Sequence, residues 1–278
     1  MSFKIGFSMG ETNQKANTNI SKKKEKPIVG RKSLVQIYFP TRNLSLAYYN
    51  DLFDLKCGDL VYVSGKLEGL LGRVSHVSYS FKIHLSDYKR VIAVADTTVN
   101  GRFFMGNSHF ISFDRKTLPY EKISTWFWAP SEEDVLVNSE DNTSFDLENL
   151  AGMDIDGSVA ERGHNYYLEN RVEYLCLDGI KGRAIVNGSK PYEVEFTYQN
   201  GAISNLLCSC FCSYHCKHEF ATLLQLKETL ALIEKHDMNS YQKTKYFMAV
   251  SKGTLFKFAI DGKEEGSFTL SSDTESAK

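Results

Sequence analysis

Apolar residues along this chain recur in two rhythms. In the first hundred or so positions they come in short runs: LVQIYF (Leu34 to Phe39), DLVYVSG (Asp59 to Gly65), LLGRVSHVSYSFKIHL (Leu70 to Leu85) and RVIAVAD (Arg90 to Asp96). Val, Ile, Tyr and Phe dominate them, side chains that suit a pleated surface, and Gly, Asp or Asn turns separate them. The spacing predicts a small antiparallel barrel, and GRFFMGNSHFISFDR (Gly101 to Arg115) continues the β character. An all-β, barrel-like domain is therefore expected over residues 31–130.

The rhythm changes in the second half. SVAERGHNYYLEN predicts a short helix, with Asp156 or Ser158 able to accept hydrogen bonds from its first free N–H groups. Strands follow at Arg171 to Leu177, Gly182 to Gly188 and Tyr192 to Tyr198, punctuated by Asp178-Gly179, Asn187-Gly188 and Asn200-Gly201. Asx-Gly pairs of this kind favour tight hairpin turns. In EFATLLQLKETLALIEKH the apolar positions Phe220, Leu223, Leu224, Leu226, Leu230 and Ile233 fall at helical spacing, which predicts an amphipathic helix. KYFMAVSKGTLFKFAI reads as a final hairpin turning at Lys252-Gly253. The second domain is expected over residues 157–262.

Three polar stretches frame these domains. Residues 1–30 carry SKKKEK and no sustained apolar period, and read as a disordered tail. Residues 131–156 read as an acidic linker: ten Asp or Glu and no Lys or Arg lie between 131 and 161, with one short helix expected at FDLENL (Phe145 to Leu150). Residues 263–278 read as a flexible tail.

Composition narrows the function classes. The 278 residues are 42% hydrophobic and 13% aromatic, ample for two cores, and 33 basic against 34 acidic residues leave a net charge of −1. No global field draws the chain to nucleic acid or membrane. No run approaches the ~20 apolar residues of a membrane helix, and MSFKIGFSMGETNQK lacks the pattern of a secretory leader. A cytoplasmic protein with no membrane contact is expected.

Six cysteines are present, four of them between Cys208 and Cys216, while Cys57 and Cys176 stand alone in apolar surroundings and read as buried small hydrophobes. The cluster, CSCFCSYHCKH (Cys208 to His218), reads as a metal site rather than a disulfide framework. Zinc takes four N or S donors in a tetrahedron. Two cysteines two apart can face one point, the next five residues let the chain loop back, and Cys216 and His218 complete a shell at the start of the helix. The dipole of that helix favours thiolate, and Lys217 offsets the residual negative charge. Cys212 can stand in for Cys210, and His215 for His218.

The pattern C-x-C, a short gap, C-x-H and an apolar helix resembles the SWIM-type zinc finger, and CKHEFATLLQL is similar to that family's Cys-Lys-His followed by a Leu-rich helix. The resemblance covers residues 157–235 and extends to bacterial stand-alone members. Phe211 and Cys212 occupy a position where many members carry Pro. It implies one structural zinc ion on Cys208, Cys210, Cys216 and His218, and a module that contacts DNA or protein. The fold class expected is α+β, a small N-terminal β-barrel followed by a hairpin, zinc-knuckle and helix domain.

Gly58 to Val77, GDLVYVSGKLEGLLGRVSHV, also resembles the KOW segment of SH3-like barrels in RNA-associated proteins. Residues 31–102 hold ten Lys or Arg against six Asp or Glu, a net of +4. Arg73, Lys82, Lys89 and Arg90, interleaved with Tyr79, Phe81 and Tyr88, form a candidate nucleic-acid face. No catalytic pattern stands out: Leu60 occupies the place where a phosphate-cradling loop ending at Gly65-Lys66 needs Gly, and His76, His84, His109 and His164 are scattered. A non-enzymatic zinc module is expected, with DNA, RNA or a nucleic-acid-associated protein as partner, or else a protein-interaction adaptor, and no small-molecule substrate.

Overall fold

The computed structural model describes residues 31–129 and 143–260, together with the backbone of Ser2–Phe7 and Gly266–Ser271. In chain order the strands are β1 (Ser2–Phe7), β2 (Ser33–Phe39), β3 (Leu44–Asn50), β4 (Leu60–Val63) and β5 (Gly72–Ser78). Next come β6 (Val91–Ala95), β7 (Arg102–Met105), β8 (His109–Ser112), β9 (Ser144–Asp146) and β10 (Val172–Asp178). The last are β11 (Lys181–Asn187), β12 (Pro191–Gln199), β13 (Ala202–Cys208), β14 (Tyr246–Ser251) and β15 (Gly266–Ser271). The helices are α1 (Tyr120–Ser124), α2 (Gly157–Leu168), α3 (Lys217–His236), α4 (Met238–Thr244) and α5 (Lys252–Leu255).

These elements make a mixed α and β fold on two open sheets. Five strands run in the order β3-β2-β5-β4-β6, and ten in the order β1-β15-β7-β8-β14-β10-β11-β12-β13-β9. The edges of the smaller sheet meet at a single bridge, Tyr49 to Arg90, where the Tyr49 N–H donates to Lys89 O at 2.9 Å. One bridge is not a continuous ladder, so the closed barrel expected over 31–130 is present here as an open sheet.

The larger sheet is buried on both faces because its central strands carry apolar side chains on both. In β10, Leu175 and Leu177 face one side while Tyr174 and Cys176 face the other. The first side packs against Ala221, Leu223, Leu226 and Ile233 of α3. The second packs against Leu118, Ile123 and Trp126 and meets Leu60 and Ala95 of the smaller sheet. Tyr62 Oη donates to Thr125 O (3.0 Å) and Trp126 Nε1 to Asp96 O (2.8 Å), tying the two sheets through this layer.

Several expectations are corrected by the pairing. β7 and β8 join β14 in the larger sheet, so the boundary between the sheets falls between Ala95 and Arg102 instead of near residue 130. The hairpin expected at Lys252-Gly253 is absent: β14 already has β8 and β10 on its two edges, so the chain has no edge to return along and turns into α5 and a π-turn over Phe256–Ile260. The helix expected at Phe145 to Leu150 is instead β9, paired with the free edge of β13, followed by a 3-10 turn over Leu150–Met153. Residues 130–142 of the expected acidic linker lie outside the described residues. In the two expected tails, Ser2–Phe7 and Gly266–Ser271 pair antiparallel; the other residues of both tails lie outside those described. Cys57 is exposed, since it sits in the turn before Gly58 and outside any strand, whereas Cys176 is buried as expected.

His109 is an ionisable group held inside the core. It is 2% exposed, Nε2 donates to Val172 O at 2.7 Å, and Nδ1 accepts from the Ser108 hydroxyl at 2.8 Å, so a neutral ring satisfies both nitrogens. Burial lowers its pKa from 6.5 to about 4. The unfolded chain therefore takes up a proton that the folded one refuses, and stability falls as pH drops from about 6.5 to about 4. The expected loss over that window is about 3 kcal/mol, at 1.36 kcal/mol per pKa unit. Urea unfolding at stepped pH should show it in the wild type, and His109→Gln should lose that much less.

Candidate metal centre

Local structure brings the cluster together. Asn200 and Gly201 take left-handed φ angles (52° and 87°), the primed turn that reverses β12 into β13, and β13 ends on Cys208. Three residues of α3 and its approach then close the cluster. Cys216 is the N-cap, with the Glu219 carboxylate accepting from the Cys216 N–H at 2.8 Å and the Cys216 sulfur facing the N–H of Glu219. His218 follows one turn-position into the helix. Helix α2, capped by Asp156 accepting from the Ser158 N–H at 2.8 Å, lies alongside α3. Gly163 permits that approach: a Cβ there would stand 2.8 Å from Phe220 Cβ and 3.0 Å from Lys217 O.

One donor atom from each of Cys208, Cys210, Cys216 and His218 lies within 4.8 Å of the other three. His218 Nδ1 is 3.7 Å from Cys208 Sγ and 3.6 Å from Cys216 Sγ. With Zn–S near 2.3 Å and Zn–N near 2.0–2.1 Å, a regular tetrahedron has edges of about 3.5–3.8 Å. The sulfur–nitrogen separations match those edges. These four residues can hold one metal ion.

The two open alternatives fall outside the group of four donors. Cys212 is exposed, and His215 turns Nδ1 to the Glu219 carboxylate at 3.1 Å. Among the described residues the grouped donors are the other four.

The electrostatics of the cluster favour a cation. The hydrogen bond from Cys208 holds the Cys216 thiol down at about 4, and the same bond, with burial, drives Cys208 upward. Burial pushes Cys210 to about 12. The protein alone thus sustains one thiolate among three sulfurs, and it takes a dication at their centre to stabilise the rest. Burial also raises the Glu219 carboxyl, opposed by its hydrogen bond from His215.

The His218 ring is held by packing. Tyr192 stacks on it at 4.3 Å and 26°, and Tyr166 meets it edge-on at 5.5 Å. Nε2 is buried with no hydrogen-bond partner among the described residues, so the ring's orientation is set by Nδ1 facing sulfur and by these two aromatic contacts. Gly188 belongs to the same wall, since a Cβ there would lie 3.0 Å from Nε2 and 2.9 Å from the Tyr192 ring.

Comparison with protein-family models, with curated proteins and with solved structures gives no match. Whatever this centre does must be read from its own geometry.

Glu219, Tyr192 and Tyr166 were not singled out by the sequence, and Gly188 only as a turn residue. Only Glu219 left a signal there: Cys216-x-x-Glu219 is the spacing of a capping box with Cys in place of Ser or Thr. Lys217, expected to offset the sulfur charge, directs its Nζ over the Tyr166 ring at 4.6 Å.

The candidate basic face is divided. Arg90 pairs with Asp51 at 2.8 Å, and Arg73 donates to Gly58 O at 3.2 Å and lines a cavity of about 800 Å³ between the two sheets. Lys82 and Lys89 are exposed. Of the interleaved rings, Phe81 packs on Tyr49 at 6.2 Å, Tyr88 is half-buried, and Tyr79 lies under the Arg31 guanidinium at 3.9 Å. No described helix is long and apolar enough to cross a membrane.

Glu219→Ala removes the reciprocal cap and the acceptor that orients Cys216. It should weaken metal binding about 10- to 100-fold, the usual effect of losing an outer-shell partner. Competition against a chelating dye measures it, and circular dichroism should show the sheets intact.

Proposed function

We propose that the ion is zinc, that Cys208, Cys210, Cys216 and His218 are its ligands, and that the module is of the SWIM type with a structural, non-enzymatic role. The observation that carries this reading is the set of three sulfurs and one imidazole nitrogen within 4.8 Å. Three thiols and an imidazole at tetrahedral spacing suit Zn²⁺, and four protein donors leave no position for a catalytic water. The SWIM assignment draws on the motif resemblance in Cys208 to His218. The reading of Gly58 to Val77 as a KOW-like segment draws on the motif resemblance alone, since the five-stranded sheet that holds it is open.

The partner proposed is nucleic acid or a nucleic-acid-associated protein. Its support is the net positive charge of residues 31–102 and the exposed Lys82 and Lys89. The division of Arg73 and Arg90 between the cavity and Asp51 removes two members of the candidate face, which favours contact sites spread over more than one element. The competing reading is a protein-interaction adaptor without nucleic-acid contact.

Elemental analysis of purified protein should find one equivalent of zinc. Cys216→Ser should lose it and unfold residues 157–250 while the five-stranded sheet stays folded. Metal binding in small zinc modules is worth on the order of 10 kcal/mol, comparable to a domain's entire stability. Protein with no stoichiometric metal, or a Cys216→Ser variant of unchanged stability, would remove the structural role. For the partner, log affinity for DNA or RNA should fall linearly with log salt, whereas an adaptor shows no binding below ~100 μM.

A further inference from the structure

Phe211 and Tyr214 are 95% and 89% exposed, while every other exposed large apolar side chain among the described residues is at 60% or less. Single exposed rings are ordinary, but two within four positions form a patch. They sit on the loop between Cys210 and Cys216, two of the four clustered donors. With both ends anchored, the loop holds the rings outward, so little conformational freedom remains to be lost when something binds them.

The surroundings of the rings are cationic. Lys190, in the turn between β11 and β12, places Nζ 5.6 Å from the centre of the Phe211 ring. Lys217, just after the loop in sequence, directs its Nζ over the Tyr166 ring at 4.6 Å. Neither lysine forms an ion pair among the described residues. Residues 209–218 contain no acid, and the nearest in sequence, Glu219, is buried in its cap. The β11–β12 turn also borders the cavity between the sheets: Asn187 and Pro191 line its wall with Lys257, which has no carboxylate partner among the described residues, and with Glu169 and Glu173, the first paired with Arg171 and the second accepting from Asn187 and Thr254.

We propose that Phe211 and Tyr214 are a stacking platform for bases of a single-stranded nucleic acid, with Lys190 meeting its phosphates and Lys257 meeting them further along the cavity. This rests on the nucleic-acid reading above and assigns its contact site to the metal loop. Exposed ring faces beside unpaired cations are what a single strand recognises, because every base has a face to stack and every linkage a charge. An apolar pocket on a protein would use the rings but gain nothing from the lysines. A duplex would meet the lysines but keep its bases from the rings.

The test is fluorescence anisotropy with a labelled oligothymidylate of about 12 nucleotides, a length within the usual single-strand site sizes, titrated across a range of salt. Zinc content is measured on every sample. Phe211→Ala and Tyr214→Ala should each weaken binding about tenfold with zinc content unchanged. Lys190→Gln and Lys257→Gln should each flatten the log–log salt slope by about 0.7, the value for one lost single-strand phosphate contact. Wild-type binding that neither aromatic substitution changes overturns the stacking platform and leaves the nucleic-acid reading standing. A wild type that holds zinc yet binds no oligonucleotide at ~100 μM ends both. Loss of a protein partner in the Phe211→Ala variant, with oligonucleotide affinity unmoved, would overturn stacking and reassign the loop to protein docking.

Discussion

The second half of this protein depends on a join between the end of a strand and the start of a helix. Cys208 closes β13 and Cys216 caps α3, so the donor cluster fixes where the helix begins and which face it turns to the sheet. Ala221, Leu223, Leu226 and Ile233 then meet Leu175, Leu177 and Ala184 because the helix starts in that register. Without a cation, three thiols in a partly buried pocket resist joint ionisation, and the join is weak. With one, the ligand shell supplies the energy that a short loop between β13 and α3 cannot.

The residues around the donors serve that join. Glu219 accepts from the N–H of the residue that is both cap and donor, and also takes the bond from His215, which keeps that ring out of the cluster. Tyr192 and Tyr166 hold the His218 ring by stacking and edge contact, and Gly188 leaves space for its far edge. The loop between Cys210 and Cys216 carries Phe211 and Tyr214 outward, 95% and 89% exposed.

Much of this was legible in the chain. The helix at α3 follows from its apolar spacing, and the strands β10, β11 and β12 from their β-branched runs and Asx-Gly turns. The candidate donors follow from cysteine and histidine spacing together with the motif resemblance: six Cys and His stand in eleven positions, with Cys212 and His215 open as alternatives, and the structure groups Cys208, Cys210, Cys216 and His218. These are local features, settled by what each residue does to its near neighbours.

What the sequence did not reveal are choices made by distant partners. Phe145 and Leu147 fit a helical pattern as well as a strand, and the free edge of β13 decided for strand. Lys252-Gly253 fits a hairpin, but both edges of β14 were taken and the chain turned helical. Lys190 stands eighteen residues before Cys208 and escapes any charge tally of the metal loop, yet a hairpin carries it over Phe211. Spacing along the chain marked the candidate donors, the turns and the helix; edge pairing and burial between segments far apart determined which donors are grouped, which strand joined which sheet and what surrounds the metal loop. Backbone hydrogen bonds in a sheet need a partner strand, and no stretch of sequence specifies by itself which one it will find.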